Sequence, residues 1–204
     1  MKLIAIHIFK WAEEDPFLLA SEMDLSMLWF YQKGMAKDHI NFNSRMISSR
    51  IPPGNKASVT LENNIGICYC YTTKDNLSAT VITDADYPEK AAFILLNNII
   101  MDFRETFSGN PSLWEDVTSD VNLKYESLEI FLKKWQDPHE ADKLLKIEKE
   151  LHEVKDIIHK NLADLLKKGE QLDELMVKSK DLNKVSVEFY KKAKKQNSSC
   201  CKLQ

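Results

Sequence analysis

The chain has 204 residues, 44% of them hydrophobic and 29% charged, with a formal net charge of −3. That length fits one ordinary domain plus an extension better than two full domains. The near-neutral balance excludes a globally basic nucleic-acid binder, and the absence of any apolar run of about 18 residues argues against a membrane-spanning helix.

The opening run KLIAIHIFK alternates Leu3, Ala5, His7 and Phe9 against Ile4, Ile6 and Ile8, which suits a strand buried on both faces. It is flanked by acidic residues and has no signal-peptide cleavage pattern, so the expected location is the cytosolic side of membranes. A second strand is expected near residues 17–20. From Ser26, the residues Leu28, Trp29, Met35, Ile40, Phe42, Met46 and Ile47 approximate a helical stripe that ends before Pro52-Pro53-Gly54. Three short strands follow at 57–61, 65–72 and 77–83, separated by turn-forming Asn63-Asn64 and Lys74-Asp75-Asn76, as in a meander. Cys68 and Cys70 sit two apart in one of them, so both face the same side. Without two further ligands nearby they read as buried, inert thiols rather than half of a metal site.

Pro88 is expected at the start of a helix carrying Ala92, Leu95, Leu96, Ile99, Ile100, Phe103 and Phe107 at helical spacing. A polar stretch at 110–120 leads to a short helix at 127–135, and Gln136-Asp137-Pro138 marks a boundary. The pattern predicts an α+β domain of about 130 residues followed by a helical arm.

The arm carries the most informative feature. Leu144, Ile147, Leu151, Val154, Ile158, Asn161, Leu165, Lys168, Leu172, Leu175, Ser179, Leu182, Ser186, Phe189, Ala193 and Gln196 follow one another at alternating spacings of three and four. Ten of these sixteen are large and apolar, so the spacing marks a coiled-coil seam. A continuous helix over 144–196 would be roughly 80 Å long. So long and narrow a stripe is expected to be covered by partner helices rather than by its own small domain. Gly169 weakens the middle, and the isolated arm should be poorly helical.

The chain ends Cys200-Cys201-Lys202-Leu203-Gln204, a C-a-a-X pattern with Gln as X, which favours a farnesyl group on Cys201. Cys200 beside it is a candidate for palmitate or a second prenyl group. Lys191, Lys192, Lys194 and Lys195 just upstream would add basic attraction to a membrane surface. Enzymatic signatures are missing: glycines 34, 54, 66, 109 and 169 build neither a phosphate loop nor a dinucleotide turn, no metal-ligand cluster is visible, and His152 and His159 read as solvated helix surface.

Taken together, LKIEKELHEVKDIIHKNLADLLKKGEQLDELMVKSKDL, EFYKKAKKQNSSCC, QDPHEADK, KASV and DADYP resemble the prenylated longin-type R-SNAREs, synaptobrevin homologues that end in two cysteines instead of a membrane span. The resemblance covers essentially the whole chain. It implies a longin (profilin-like) domain at 1–135 with a five-stranded antiparallel sheet between helices, a linker at 136–143, an R-SNARE coiled-coil motif at 144–196 and a lipidated tail at 197–204. It implies a non-enzymatic protein of vesicle fusion, without cofactor beyond covalent lipid, whose arm zips with three Q-SNARE helices (Qa, Qb and Qc) into a parallel four-helix bundle. Where the family's central polar layer holds Arg, this chain places Lys168, which keeps the layer cationic with a more compact donor set. The resemblance also implies a closed form in which the longin domain folds back on the arm and shelters a lipid chain, with Phe42 on the docking face. The implied stations are the cytosol and the cytoplasmic face of Golgi, ER–Golgi, endosomal or vacuolar membranes. The competing reading is a longin-type trafficking adaptor or scaffold whose coiled coil does not drive fusion.

Overall fold

A computed structural model describes residues 2–26, 28–62, 65–137 and 157–199. The front domain runs β1 (Leu3–Lys10), β2 (Phe17–Met23), α1 (Phe30–Arg50), β3 (Lys56–Thr60), β4 (Ile67–Thr72), β5 (Leu77–Thr83), α2 (Glu89–Thr106), α3 (Ser112–Glu115) and α4 (Ser127–Lys134). Its strands are ordered β2-β1-β5-β4-β3, and every pair among them is antiparallel.

The sheet has α1 on one face and α2 on the other, which explains why β1 and β5 are buried almost throughout. On the α2 side, Ile6, Ile8, Tyr69 and Val81 pack against Phe93, Leu96, Ile100 and Phe103. Pro88 precedes the first turn of α2, where its missing N–H costs nothing. Gln136 closes the domain by exchanging hydrogen bonds with the backbone of Leu3, 2.6 Å to its carbonyl and 3.3 Å from its N–H.

The opposite side is chemically unusual. The face of α1 that meets the sheet is polar: His7 Nε2 lies 2.9 Å from Asn41 Oδ1, Ser44 Oγ lies 3.1 Å from His7 Nδ1, and Ser48 donates to Ser78 at 2.8 Å. Cys68 and Cys70 point to this side, both buried; burial raises the Cys68 thiol well above its ordinary value and pushes Cys70 up to about 11. They are inert thiols in the sense expected. From His39 to Ser49 every residue of α1 but Asn41 is buried, although only one side of a helix can face a sheet. Something else covers its outer face.

That cover is the arm. The remaining elements are β6 (Ile157–Asn161), a 3-10 turn (Leu162–Leu165), α5 (Leu172–Lys178) and α6 (Lys184–Ser199). β6 joins the edge of β3 in parallel, Ala57 opposite Ile158 and Val59 opposite Lys160, so the sheet has six strands and is mixed. The five antiparallel strands expected for the front domain are present, and the sixth comes from the arm. Two expectations fail in this conformation. The described part of the arm is not one helix, and its seam residues Leu165 and Leu172 are covered by its own domain, because breaks after Asn161, at Gly169 and around Ser179 let short pieces follow the domain's curvature.

Candidate functional site: the arm-docking surface and its groove

Each piece of the arm is fixed by a local device. Asn161 and Asp164 form a capping box, the Asn161 N–H reaching Asp164 Oδ2 at 2.9 Å, which starts the 3-10 turn. A tight turn follows, closed by the Glu170 N–H to the Lys167 carbonyl at 2.9 Å, with Gly169 at φ +88°. Glycine suits that position because a Cβ is disfavoured at positive φ. The Glu170 carboxylate then grips Arg50 through both oxygens, 2.9 and 3.0 Å from NH2.

Beyond α5 the chain passes a buried charge cluster. Arg45 on α1 donates to Asp181 from Nε at 2.7 Å and NH2 at 3.0 Å, and to Asp120 from NH1 at 3.0 Å and NH2 at 2.9 Å. It also donates to the Pro16 carbonyl and lies over the Phe9 ring. Burial opposes the charged form of Asp120, but hydrogen bonds from Arg45 and the Leu18 N–H outweigh it and hold the carboxyl below its ordinary value. Lys180 bridges Asp15 at 2.8 Å and Asp120 at 3.3 Å on the outer side.

α6 is held by Asp38, whose Oδ2 accepts from Asn183 at 2.8 Å and Ser186 Oγ at 2.7 Å. His39 Nε2 lies 2.9 Å from the Ser186 carbonyl, and Tyr190 donates its hydroxyl to Glu62.

The apolar contact has Phe42 in its cluster. Phe42, 6% exposed, belongs with Met46, Ile47, Leu162, Leu165, Leu172, Met176, Val187 and Tyr190. Among the seam residues, Leu165, Leu172 and Ser186 are buried, Ile158, Leu175, Ser179 and Leu182 are partly buried, and Asn161, Lys168 and Phe189 are exposed. Leu144, Ile147, Leu151, Val154, Cys200 and Cys201 lie outside the described residues, and Ala193 and Gln196 fall in α6. Lys168 sits in the tight turn beside Gly169, facing solvent.

Sequence reasoning missed a second set of docking residues. Leu162, Met176, Val187 and Tyr190 each stand one position after a seam residue, and all are buried. The signal existed as an apolar or aromatic residue repeatedly following the seam. Arg45, Asp181, His39 and Asp38 gave no such signal, because charged and polar residues become informative only once the arm is folded back.

Between α1, α6 and the start of the chain lies a cavity of about 510 Å³, with a largely apolar lining that includes Ile4, Leu25, Leu28, Ile40, Ile65 and Phe189. That volume is within the usual range for small-molecule sites. No helix among the described residues is long and apolar enough to cross a membrane, and no cluster of metal ligands occurs among them.

Comparison with known proteins agrees with this two-part construction. Residues 29–132 match the regulated-SNARE-like longin domain model, and residues 143–202 match the synaptobrevin model. A VAMP-like protein, YKT61, of Arabidopsis thaliana is 39% identical over 202 residues, 98% of each chain. The synaptobrevin homologues Ykt6 of Schizosaccharomyces pombe and of Saccharomyces cerevisiae are 35% and 33% identical, each over 98% of both chains.

Proposed function

Because this chain belongs to the synaptobrevin family of longin-domain R-SNAREs, with full-length relatives of the Ykt6 type, we propose that it drives vesicle fusion by exchanging the folded-back arm described above for a zippered one. In the docked state Leu165, Leu172 and Ser186 of the seam are covered by the longin domain. Those side chains cannot serve the longin domain and three Q-SNARE helices together, so docking and zippering exclude each other. This shared use of seam residues is the observation that carries the reading.

In the zippered state the arm is a continuous helix and Lys168 enters the central layer of a four-helix bundle. There its three N–H donors meet side-chain oxygens of glutamines from the Qa, Qb and Qc partners. A buried ammonium without such partners is costly, so the residue sets alignment and selects partner type. In the docked state the same ammonium remains in water, and folding back incurs no desolvation at that position.

Cys201 carries a farnesyl group and Cys200 a second lipid in this proposal. Two chains hold a protein on a membrane far more firmly than one. The apolar cavity beside Phe189 and Tyr190 has the chemistry to shelter one such chain while the arm is docked, keeping the protein off membranes. Its stations are the cytosol and the cytoplasmic face of the secretory and endosomal membranes it joins.

The test is Phe42→Glu in the lipidated chain. A carboxylate placed among Leu162, Leu165 and Met176 costs several kcal/mol in the docked state and nothing once the arm has left (roughly 2–5 kcal/mol). The variant is expected to move onto liposomes and to assemble faster with Q-type helices. A lipidated variant that stays off membranes contradicts the reading.

A further inference from the structure

We infer that His39 is a proton-sensitive latch on α6: the arm docks while the imidazole is neutral, and protonation releases it. The inference rests on the docked state described above being the inactive one, and adds the means of opening it.

His39 sits where α1 meets α6 and is only 9% exposed. A carbonyl can only accept, so the 2.9 Å contact with the Ser186 oxygen requires the proton on Nε2 and leaves Nδ1 bare in the neutral ring. The ring lies 5.4 Å from the Tyr190 ring, tilted by 31°. It also lines the apolar cavity and a smaller hollow reaching Met176 and Leu172. One imidazole therefore touches the backbone of α6, its main aromatic anchor and the groove.

The charged and titratable groups around it come from several elements. Asp38, on α1 itself, favours the protonated ring, but its Oδ2 is already engaged by Asn183 and Ser186. Tyr190 from α6 and Glu62 after β3 are bonded to each other. Lys2, Asp24 and Asp84 line the same cavity. Burial is the largest influence; despite the Ser186 carbonyl and Asp38, it holds the imidazole below its ordinary value of 6.5. Released, the ring faces water and regains that value. A proton therefore binds the open state more readily. The latch is fully set above pH about 6.5 and weakens as pH falls below it.

Other histidines act differently. His159 lies 3.0 Å from Glu89 on the exposed surface beside β6, away from α6. His7 lies in the core, where protonation loosens the domain as a whole. His139 and His152 lie outside the described residues.

The experiment compares the full-length chain with His39→Gln, whose side-chain N–H still reaches the Ser186 carbonyl but does not titrate, and with His39→Phe. Amide exchange, corrected for intrinsic pH effects, is read for residues 184–192 and for core strands at pH 7.5 and 5.5. The wild-type open fraction of α6 should rise by up to about tenfold between the two, the limit for a group of ordinary pKa 6.5, while core strands, whose pH response comes from His7, change alike in all three proteins. In the variants it should rise less than about twofold. Wild-type protection that does not change, or variants that follow the same pH course, overturns the latch while leaving docking intact. An α6 already unprotected at pH 7.5 in all three proteins overturns the docked reading as well.

Discussion

Arg45 and Asp181 meet as a two-pronged ion pair, 2.7 and 3.0 Å apart, with each side chain only 8% exposed although 136 residues separate them in sequence. One belongs to the longin domain and the other to the arm. The pair therefore exists only when the arm is folded back. Desolvating two charges offsets most of their attraction, so its value lies in specifying one docked register.

Asp181→Asn keeps the shape and removes the charge. Arg45 retains Asp120 and the Pro16 carbonyl, so the loss should be about 1–3 kcal/mol of docking free energy. That corresponds to a roughly 5- to 150-fold rise in the open population, readable as faster amide exchange across residues 157–192. Exchange identical to wild type would assign the arm's register to other contacts.

Tyr190→Asp separates the two states by a different route. Tyr190 is buried on the longin domain but stands one position off the coiled-coil seam, whereas its neighbour Phe189 is on the seam and 42% exposed. The substitution should weaken docking by about 2–4 kcal/mol and leave assembly with Q-type helices nearly unchanged. Equal loss of both would mean that the off-seam residues are not specific to the docked state.

Gly169→Ala acts on the backbone alone. No atom lies within 4 Å of the Cβ it would add, but the docked turn holds this residue at φ +88°. Alanine costs about 1 kcal/mol at positive φ and favours a continuous helix by about 1 kcal/mol. Both effects favour the zippered conformation, so a roughly 30-fold shift toward it is expected from about 2 kcal/mol in all, measured by the helicity of the unbound chain. No gain in helicity would contradict the tight turn at Lys168-Gly169.

The pH response of the core is separate from that of the arm. Burial pulls the His7 imidazole down from 6.5 to about 4, against the opposing hydrogen bond with Asn41. The folded domain thus binds fewer protons than the unfolded chain. Its stability should be constant above pH 6.5 and fall by about 3 kcal/mol as pH drops from 6.5 to 4. Urea titrations of wild type and His7→Gln check this: the variant should lack that slope, and a flat wild-type profile would contradict it.

What the sequence made legible was whatever repeats regularly. The alternation in KLIAIHIFK, the short run near Phe17 and the meander between residues 57 and 83 marked the five antiparallel strands, and the stripe from Ala92 to Phe103 marked α2. The 3-4 seam marks the arm as a coiled-coil segment, a regular pattern that suits one continuous helix. The docked state is irregular, so periodicity could not report it. β6 is the polar IIHKN, whose pairing exists only because β3 offers an open edge. α1 was readable as a helix, but nothing in the sequence marks Asn41, Ser44 and Ser48 as its inward face, because their partners His7 and Ser78 are brought to them only by the fold. Phe42 was anticipated as a docking residue through family resemblance; Arg45, three positions on, had no pattern to mark it.

The most direct test of the account is amide exchange at β3 before and after addition of three Q-SNARE helices. In the docked state β6 pairs with the outer edge of Lys56–Thr60. Zippering should deprotect the β3 amides that face β6 while residues 157–192 gain continuous helical protection. If those β3 amides stay protected and the arm stays bound to its own domain with all three Q-helices present, the exchange of one packing for the other does not occur.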